Sequence, residues 1–387
     1  MIRRAPLRVA CWSWCDVMES PSVLTMIGAF LLVLGPLVVL HELGHYLVGR
    51  WFGVKANVFS IGFGRELVGW TDRRGTRWRL AALPLGGYVQ FAGDMSATSV
   101  PDPAAEQASP AEKRGMFQYA ALWQRALIVL AGPMMNLVVA VAIFAGFNMA
   151  YGVPVAAPVI GEFSAQSAAQ AAGLKVGDRI VAIDGDRVDS FMEIAEKVAL
   201  YPGRTVTVAA ERDGVSFSLP VRLAEDVQKD RFGNEMRRGL LGIRPASLEF
   251  QPVGPVQAVV KGVDQSIGII RTMAAGLVQI VTGERPLDEL GGPIKIAKYS
   301  GEQFTLGWLS FVSFAALISI NLAFINLLPI PTLDGGHLAI YAAEAVRRRP
   351  LGVRSQEWAF RTGLAFMLAL MLFVTLNDIA SLSIFGG

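Results

Sequence analysis

Hydrophobic positions in this chain gather into a few long runs, and polar positions fill the intervals between them. No charge falls between Pro21 and Leu40, between Ala126 and Gly161, or between Phe304 and Leu333. A fourth run, about Trp358 to Asn377, carries only Arg361 near its start. Crossing a bilayer takes about 20 residues of helix. Each run therefore predicts one transmembrane helix, in segments 21–53, 116–154, 304–345 and 355–387. The second run is longer than one crossing needs, so its end is expected to emerge as loop near Tyr151–Pro154.

The intervals have patterns of their own. Residues 57–94 hold aromatic and β-branched positions (Val58, Phe59, Ile61, Phe63), a turn at Asp72-Arg73-Arg74-Gly75 and glycines at 86 and 87, which reads as strands. Too apolar for an ordinary loop, this region is expected to lean on the membrane face; with an Ala/Ser/Pro-rich linker at 95–112 it fills 54–115. Residues 156–225 read as a compact α+β domain, with strands at Arg179–Ile183 and Thr205–Ala209 and a helix at Phe191–Leu200. In the connector 226–303, apolar residues at 256, 259, 260, 263, 267, 270, 277 and 281 face Lys261, Asp264 and Arg271, which predicts an amphipathic helix over 256–282. It is too polar to span, and is expected at the interface or against the core.

Composition agrees. Of 387 residues, 53% are hydrophobic and 17% charged, and mean hydropathy is +0.44. A soluble domain carries about 25% charge, so a disordered chain is excluded and membrane spans are expected in place of a wholly soluble fold. A net charge of +3 gives no field that would favour nucleic acid. The two cysteines, Cys11 and Cys15, exclude a disulfide framework and a Cys-rich zinc site. Lys55, Arg65, Arg73, Arg74, Arg77, Arg79, Lys113 and Arg114 fall between the first two spans, and Arg347, Arg348, Arg349 and Arg354 between the last two. Both loops are therefore expected in the cytoplasm and residues 155–303 outside. Arg3, Arg4 and Arg8 argue weakly the other way; residues 1–20 read as an extension with a misassigned start, Met18 or Met26 being the alternative initiators. A signal peptide is the rival reading, but no small-residue cleavage site follows the apolar run.

The candidate chemistry begins at His41-Glu42-Leu43-Gly44-His45, which holds two of the chain's three histidines. On a helix, positions i and i+4 share a face, so both imidazoles can reach one metal while Glu42 stands beside its water. Zinc suits imidazole and hydrolysis without redox. An unpaired Glu or His at membrane depth costs about 2.5 kcal/mol or more, so such residues are functional suspects. The alternative is an inert, hydrogen-bonded cluster at a span end. A third ligand is needed, and Asp334 is the first charge after the third run; Pro329 and Pro331 break the helix before it, and Gly335-Gly336 relaxes the backbone. His337 lies nearby and reads as structural.

These residues resemble the site-2 proteases, intramembrane zinc metalloproteases, and within them the bacterial regulator-of-sigma-E type. Three blocks carry the resemblance: His41-Glu42-x-x-His45, Ala131-Gly132-Pro133 followed by Asn136, and Asn326-x-x-Pro329-x-Pro331-x-x-Asp334-Gly335. Gly86-Gly87-Tyr88-Val89 matches the membrane-associated β region of that type. The resemblance implies that His41, His45 and Asp334 bind zinc, that Glu42 is the general base, and that Asn321 and Asn326 hold the substrate backbone. Gly173-Leu-Lys-Val-Gly177-Asp178 through Asp184-Gly185 resembles a PDZ module, with Val159–Phe163 as the loop and strand beside its peptide groove. The sigma-E type commonly has two such modules in tandem; one is found here.

The chain is thus expected to be a polytopic α-helical membrane protein with a membrane-associated β region and an extracytoplasmic α+β PDZ domain. The resemblance places it in the bacterial inner membrane, its PDZ domain periplasmic and its active site toward the cytoplasmic side. Expected partners are single-span membrane proteins, such as an anti-sigma factor or remnant signal peptides, and lipid. The rival from another class is a non-catalytic scaffold that binds chain termini through the PDZ module. Transport has less support, since no inverted repeat is seen.

Overall fold

The Ser22 hydroxyl opens the first helix by accepting the Thr25 backbone N–H at 3.2 Å, one of the amides that a helix start leaves without a partner. Helix α1 (Val23–Trp51) then runs 29 residues until Gly53, at φ 81°, turns the chain. The computed structural model describes residues 21–93, 109–165, 167–229, 235–247, 249–283, 291–349 and 351–380. The expected N-terminal extension and most of the 95–112 linker lie outside these.

The next two strands, β1 (Ala56–Thr71) and β2 (Arg77–Phe91), meet at a turn in which Asp72 Oδ1 accepts the backbone N–H groups of Arg74 and Thr76 at 2.8 and 3.0 Å. Glycines 62 and 64, at φ 90° and 89°, bend β1 so sharply that the hairpin folds over itself. Val58–Ile61 is thereby flanked by Gly87–Gln90 on one side and Arg77–Leu80 on the other. The Gly87–Phe91 segment is left at an edge. One face of this sheet, through Phe59, Val89 and Phe91, packs on Tyr46 and Val54. The far part exposes Phe63, Leu67, Val68, Trp70 and Leu83.

Helix α2 (Pro110–Lys113) and a 3₁₀ turn at Phe117–Tyr119 lead to α3 (Leu122–Tyr151), which ends at Gly152, φ 82°, where the sequence puts the exit. The outer module comes next: β3 (Val153–Val155), β4 (Ile160–Phe163), α4 (Ala168–Ala171), β5 (Arg179–Ile183), β6 (Asp186–Arg187), α5 (Phe191–Ala199), β7 (Thr205–Arg212), β8 (Val215–Arg222), β9 (Ala224–Lys229), β10 (Glu235–Leu240), β11 (Ile243–Pro245) and β12 (Glu249–Gln251). A four-stranded sheet in the order β6-β5-β7-β8 closes over a core of Ile160, Leu174, Ile180, Ile194, Val206, Val208 and Val221. Leu241 belongs to that core, and β11 pairs with β4, so the folding unit reaches past residue 225. Three residues of strand, separated from their partner by about 80 positions, leave no local pattern that would extend the domain to them. β11 lies along one side of β4, and just before β4 Val159 bridges Arg179 on the other. At the base, β12 pairs with β3, a two-stranded neck that joins the entry and exit of the module.

One buried ion pair ties the module's long loop to its sheet. Asp178 is fully buried and accepts Arg212 Nε at 2.7 Å, Arg212 Nη2 at 2.8 Å and the Lys175 backbone N–H at 2.7 Å. The hydrogen-bonded guanidinium holds the Asp178 carboxyl below the usual carboxylate range, and the Lys175 amide works in the same direction. A carboxyl depressed on folding adds stability above its unfolded pKa, and that stability is lost as pH falls through the folded value. Asp178→Asn is therefore expected to cost about 1–2 kcal/mol at pH 7, toward the low end for a charged hydrogen bond because Arg212 is partly solvated. The deficit should narrow below about pH 4. Unfolding curves of both proteins in detergent at pH 7 and at lower pH check this.

Helix α6 (Pro255–Val281) returns along α3. The residues it buries outright are Ala258, Gly262 and Ser266, four residues apart, and Gln279, while Ile270 of the apolar stripe packs partly buried against Phe144 and Ile320. A Cβ on Gly262 would lie 3.0 Å from the Val141 carbonyl oxygen, so small residues let the two backbones approach. Val256, Val259, Val260, Val263 and Ile267 stay exposed. Next come α7 (Pro293–Thr305), α8 (Trp308–Asn326), α9 (Asp334–Arg347) and α10 (Val353–Ala380). Gly307, at φ 112°, separates α7 from α8, so the third span starts four residues later than the charge-free run. Buried Asp378 of α10 accepts three backbone N–H groups at the start of α7, from Gly292, Ile294 and Lys295, each at 3.0 Å. Among the described residues four helices are long and apolar enough to cross a membrane: α1, α3, α8 and α10. The buried Glu344 carboxylate near the end of α9 meets Arg125 near the start of α3 at 3.4 Å, bringing the two arginine-rich loops to one end.

Candidate metal centre

Helices α1 and α3 cross where neither carries a side chain. A Cβ on Gly44 would lie 2.9 Å from the Ala131 carbonyl carbon, and one on Gly132 would lie 2.9 Å from His41 Nε2 and nearer still to the His45 ring. Any residue but glycine at 132 would displace the imidazoles. His45 Nδ1 donates to the Ile128 carbonyl of α3 at 2.8 Å, which leaves the Nε2 lone pair free to bind a metal.

Asp334 reaches the same point from the start of α9. The two glycines after it adopt no left-handed backbone; their role is space. A Cβ on Gly336 would lie 2.6 Å from the Ile330 carbonyl carbon, and one on Gly335 would collide with the Leu327 and Leu328 carbonyls. The turn that holds Asp334 can fold tightly only over bare backbone.

The three side chains converge. His41 Nε2 and His45 Nε2 are 3.2 Å apart; Asp334 Oδ2 lies 3.2 Å from His41 Nε2, and Asp334 Oδ1 lies 3.6 Å from His45 Nε2. Tetrahedral ligands at about 2.0–2.1 Å from zinc stand roughly 3.3–3.4 Å apart, so this set fits the ion. Asp334 Oδ2 is buried and, despite its closeness to His41, lacks an aligned hydrogen bond. A buried carboxylate oxygen without a donor marks a place for a cation. Among the described residues this is the one group of three or more potential ligands brought within such reach.

Glu42 and the two histidines line a cavity of about 220 Å³, with Gly87, Tyr88, Val89, Asn326, Thr332, Asp334 and His337 around them. Gly87 brings the sheet edge against Glu42: a Cβ there would stand 3.2 Å from Glu42 Cγ. Val89, two residues on along the same strand, lines the cavity with it. Asn326 lines the cavity. Asn321 is not among the lining residues, because five residues of helix turn it about 140° away from Asn326. His337 packs its ring 4.8 Å from that of Phe360, in keeping with a structural role. A larger crevice of about 430 Å³ between α5 and α6 holds no comparable cluster. Sequence reasoning gives no role to Gly132, Asn136 or Gly87 beyond their place in matching motifs, since their effect depends on which helix or strand lies opposite.

A family model described as peptidase family M50 matches residues 29–370. The chain belongs to that family. It is 45% identical over 372 residues to an Agrobacterium fabrum protein that carries a zinc metalloprotease name, covering 95% of this chain and 99% of that one. It is 38% identical over 388 residues to metalloprotease MmpA of Caulobacter vibrioides, covering 94% and 97%. The solved PDZ domain of the SdrC-like protein from Listeria monocytogenes aligns with 22% of this chain and 85% of its own, at 22% identity and a TM-score of 0.18. This M50 protein is thus a zinc metalloprotease with helices suited to a membrane.

Proposed function

We propose that this M50 protease cuts peptide bonds within or next to the transmembrane segments of single-span membrane proteins. His41, His45 and Asp334 hold zinc, and Glu42 is the general base. The observation that carries this reading is where the centre lies: His41 is ten residues before the end of α1, about 15 Å inside a helix long enough to span. When bound, zinc supplies a Lewis acid that lowers the pKa of water to about 7 and polarises the scissile carbonyl. Glu42 takes the proton of the attacking water and returns it to the departing amine nitrogen.

A transmembrane substrate keeps its carbonyls bonded within its own helix, so it must unwind before attack. The Gly87–Phe91 edge supports this step: among the described residues no strand pairs with its outer side, and Gly87 leaves room beside Glu42. An extended substrate adds to that edge, and Asn326 supplies a further hydrogen-bonding group at the cavity wall. The outer module, read as a PDZ domain, captures an extended chain in the groove beside Val159–Phe163. The protease sits in the bacterial inner membrane, with this module in the periplasm, the arginine-rich loops in the cytoplasm, and the exposed apolar face of the β1–β2 sheet leaning on lipid. Substrates of suitable chemistry are an anti-sigma factor already cut outside, or remnant signal peptides.

The test uses purified protein in detergent and a single-span model substrate, with the cut mapped by mass spectrometry. Cleavage inside the span, stopped by a zinc chelator and restored by added zinc, is the expected result. Cleavage confined to soluble segments, or insensitive to the chelator, sinks the proposal. A zinc-free wild type that binds peptide termini would favour the scaffold.

A further inference from the structure

Asn136 of α3 is fully buried, and its amide faces His41: Nδ2 lies 3.3 Å from His41 Nδ1, while Oδ1 has no hydrogen-bond partner. A buried amide oxygen without a donor is unfavourable. A half-turn about Cβ–Cγ exchanges the two amide atoms and places Oδ1 against the imidazole. The chemistry of the centre selects that orientation. An imidazole that binds a cation through Nε2 carries its proton on Nδ1, and that N–H needs an acceptor. His45 finds one in the Ile128 carbonyl. Asn136 is the side chain placed to serve His41.

Resting on the zinc reading above, we propose that Asn136 is a positioning residue for His41: its amide oxygen accepts the Nδ1–H and presents the Nε2 lone pair to zinc. An ordinary interhelical role is the competing account of an asparagine in a span. Contact between α3 and α8 at this level is made by other atoms, however: the Ser319 hydroxyl donates to the Asn136 backbone carbonyl at 2.7 Å. The amide is left to the imidazole.

The test measures zinc affinity by chelator competition, independently of cleavage. Asn136→Leu keeps the volume and removes the acceptor; Asn136→Asp keeps an acceptor oxygen; Ser319→Ala removes the neighbouring interhelical bond. Asn136→Leu is expected to bind zinc about 10–100-fold more weakly, with Asn136→Asp and Ser319→Ala within a few-fold of wild type. Wild-type affinity in Asn136→Leu, or equal weakness in the Leu and Asp variants, overturns the assignment. If Asn136→Leu does not fold, histidine-selective ¹⁵N spectra of zinc-loaded wild type decide, because the chain has only three histidines. A protonated, slowly exchanging His41 Nδ1 is expected, and an unprotonated one overturns the proposal. A wild type that binds no zinc removes the underlying reading instead, so the two failures are distinct.

Discussion

Glu42→Gln is expected to lower the cleavage rate by about 10³–10⁴-fold, the upper part of the range for a general base, while the protein keeps its zinc. The substitution preserves the shape of the side chain, so the cavity wall should not move. It removes only the ability to take a proton from water. The ligand set does not include Glu42: the atoms that converge belong to His41, His45 and Asp334. Turnover of a single-span substrate and elemental analysis of the same preparation check both halves. Full activity in a zinc-loaded Glu42→Gln protein would remove Glu42 from the mechanism.

Charge-free length is enough to read the four spans, because a bilayer demands about 20 apolar residues whatever the neighbours. The i, i+4 histidines are legible for a similar reason, since helix geometry fixes their shared face locally. Asp334 needs more: nearly 300 residues separate it from His41, and the family resemblance supplies the pairing. The features that stay hidden depend on partners. Gly132 acquires a role only once His45 is seen against it, and Gly87 only once Glu42 is. The periodicity of α6 marks an apolar face for the interface or the core, but not that Ala258, Gly262 and Ser266 would be the residues buried against α3. Periodicity separates apolar from polar faces; where two helices approach closely, small residues decide the contact.

The same dependence on partners shapes how the centre holds together. His41 and His45 come from α1, their supporting carbonyl and amide from α3, and Asp334 from α9. With the proposed ligands, three helices distant in sequence must dock before a zinc ion finds them, so metal binding and helix packing are linked free energies. Gly44 and Gly132 on one side and Gly335 and Gly336 on the other permit that docking by bringing bare backbone into contact.

Asp334→Ala should therefore act differently from Glu42→Gln: zinc and activity are expected to disappear together. Structural zinc sites with four ligands bind with about 10–16 kcal/mol, so one ligand is worth roughly 2.5–4 kcal/mol, or on the order of 10²–10³ in affinity. The loss also releases α9, since the shared ion would no longer join it to α1, and a lower thermal midpoint than that of zinc-loaded wild type should accompany it. After dialysis against submicromolar free zinc, elemental analysis should find the wild type and Glu42→Gln loaded and Asp334→Ala empty. Stoichiometric zinc in Asp334→Ala would move the third ligand elsewhere. His337, which lines the same cavity, would be the residue to replace next.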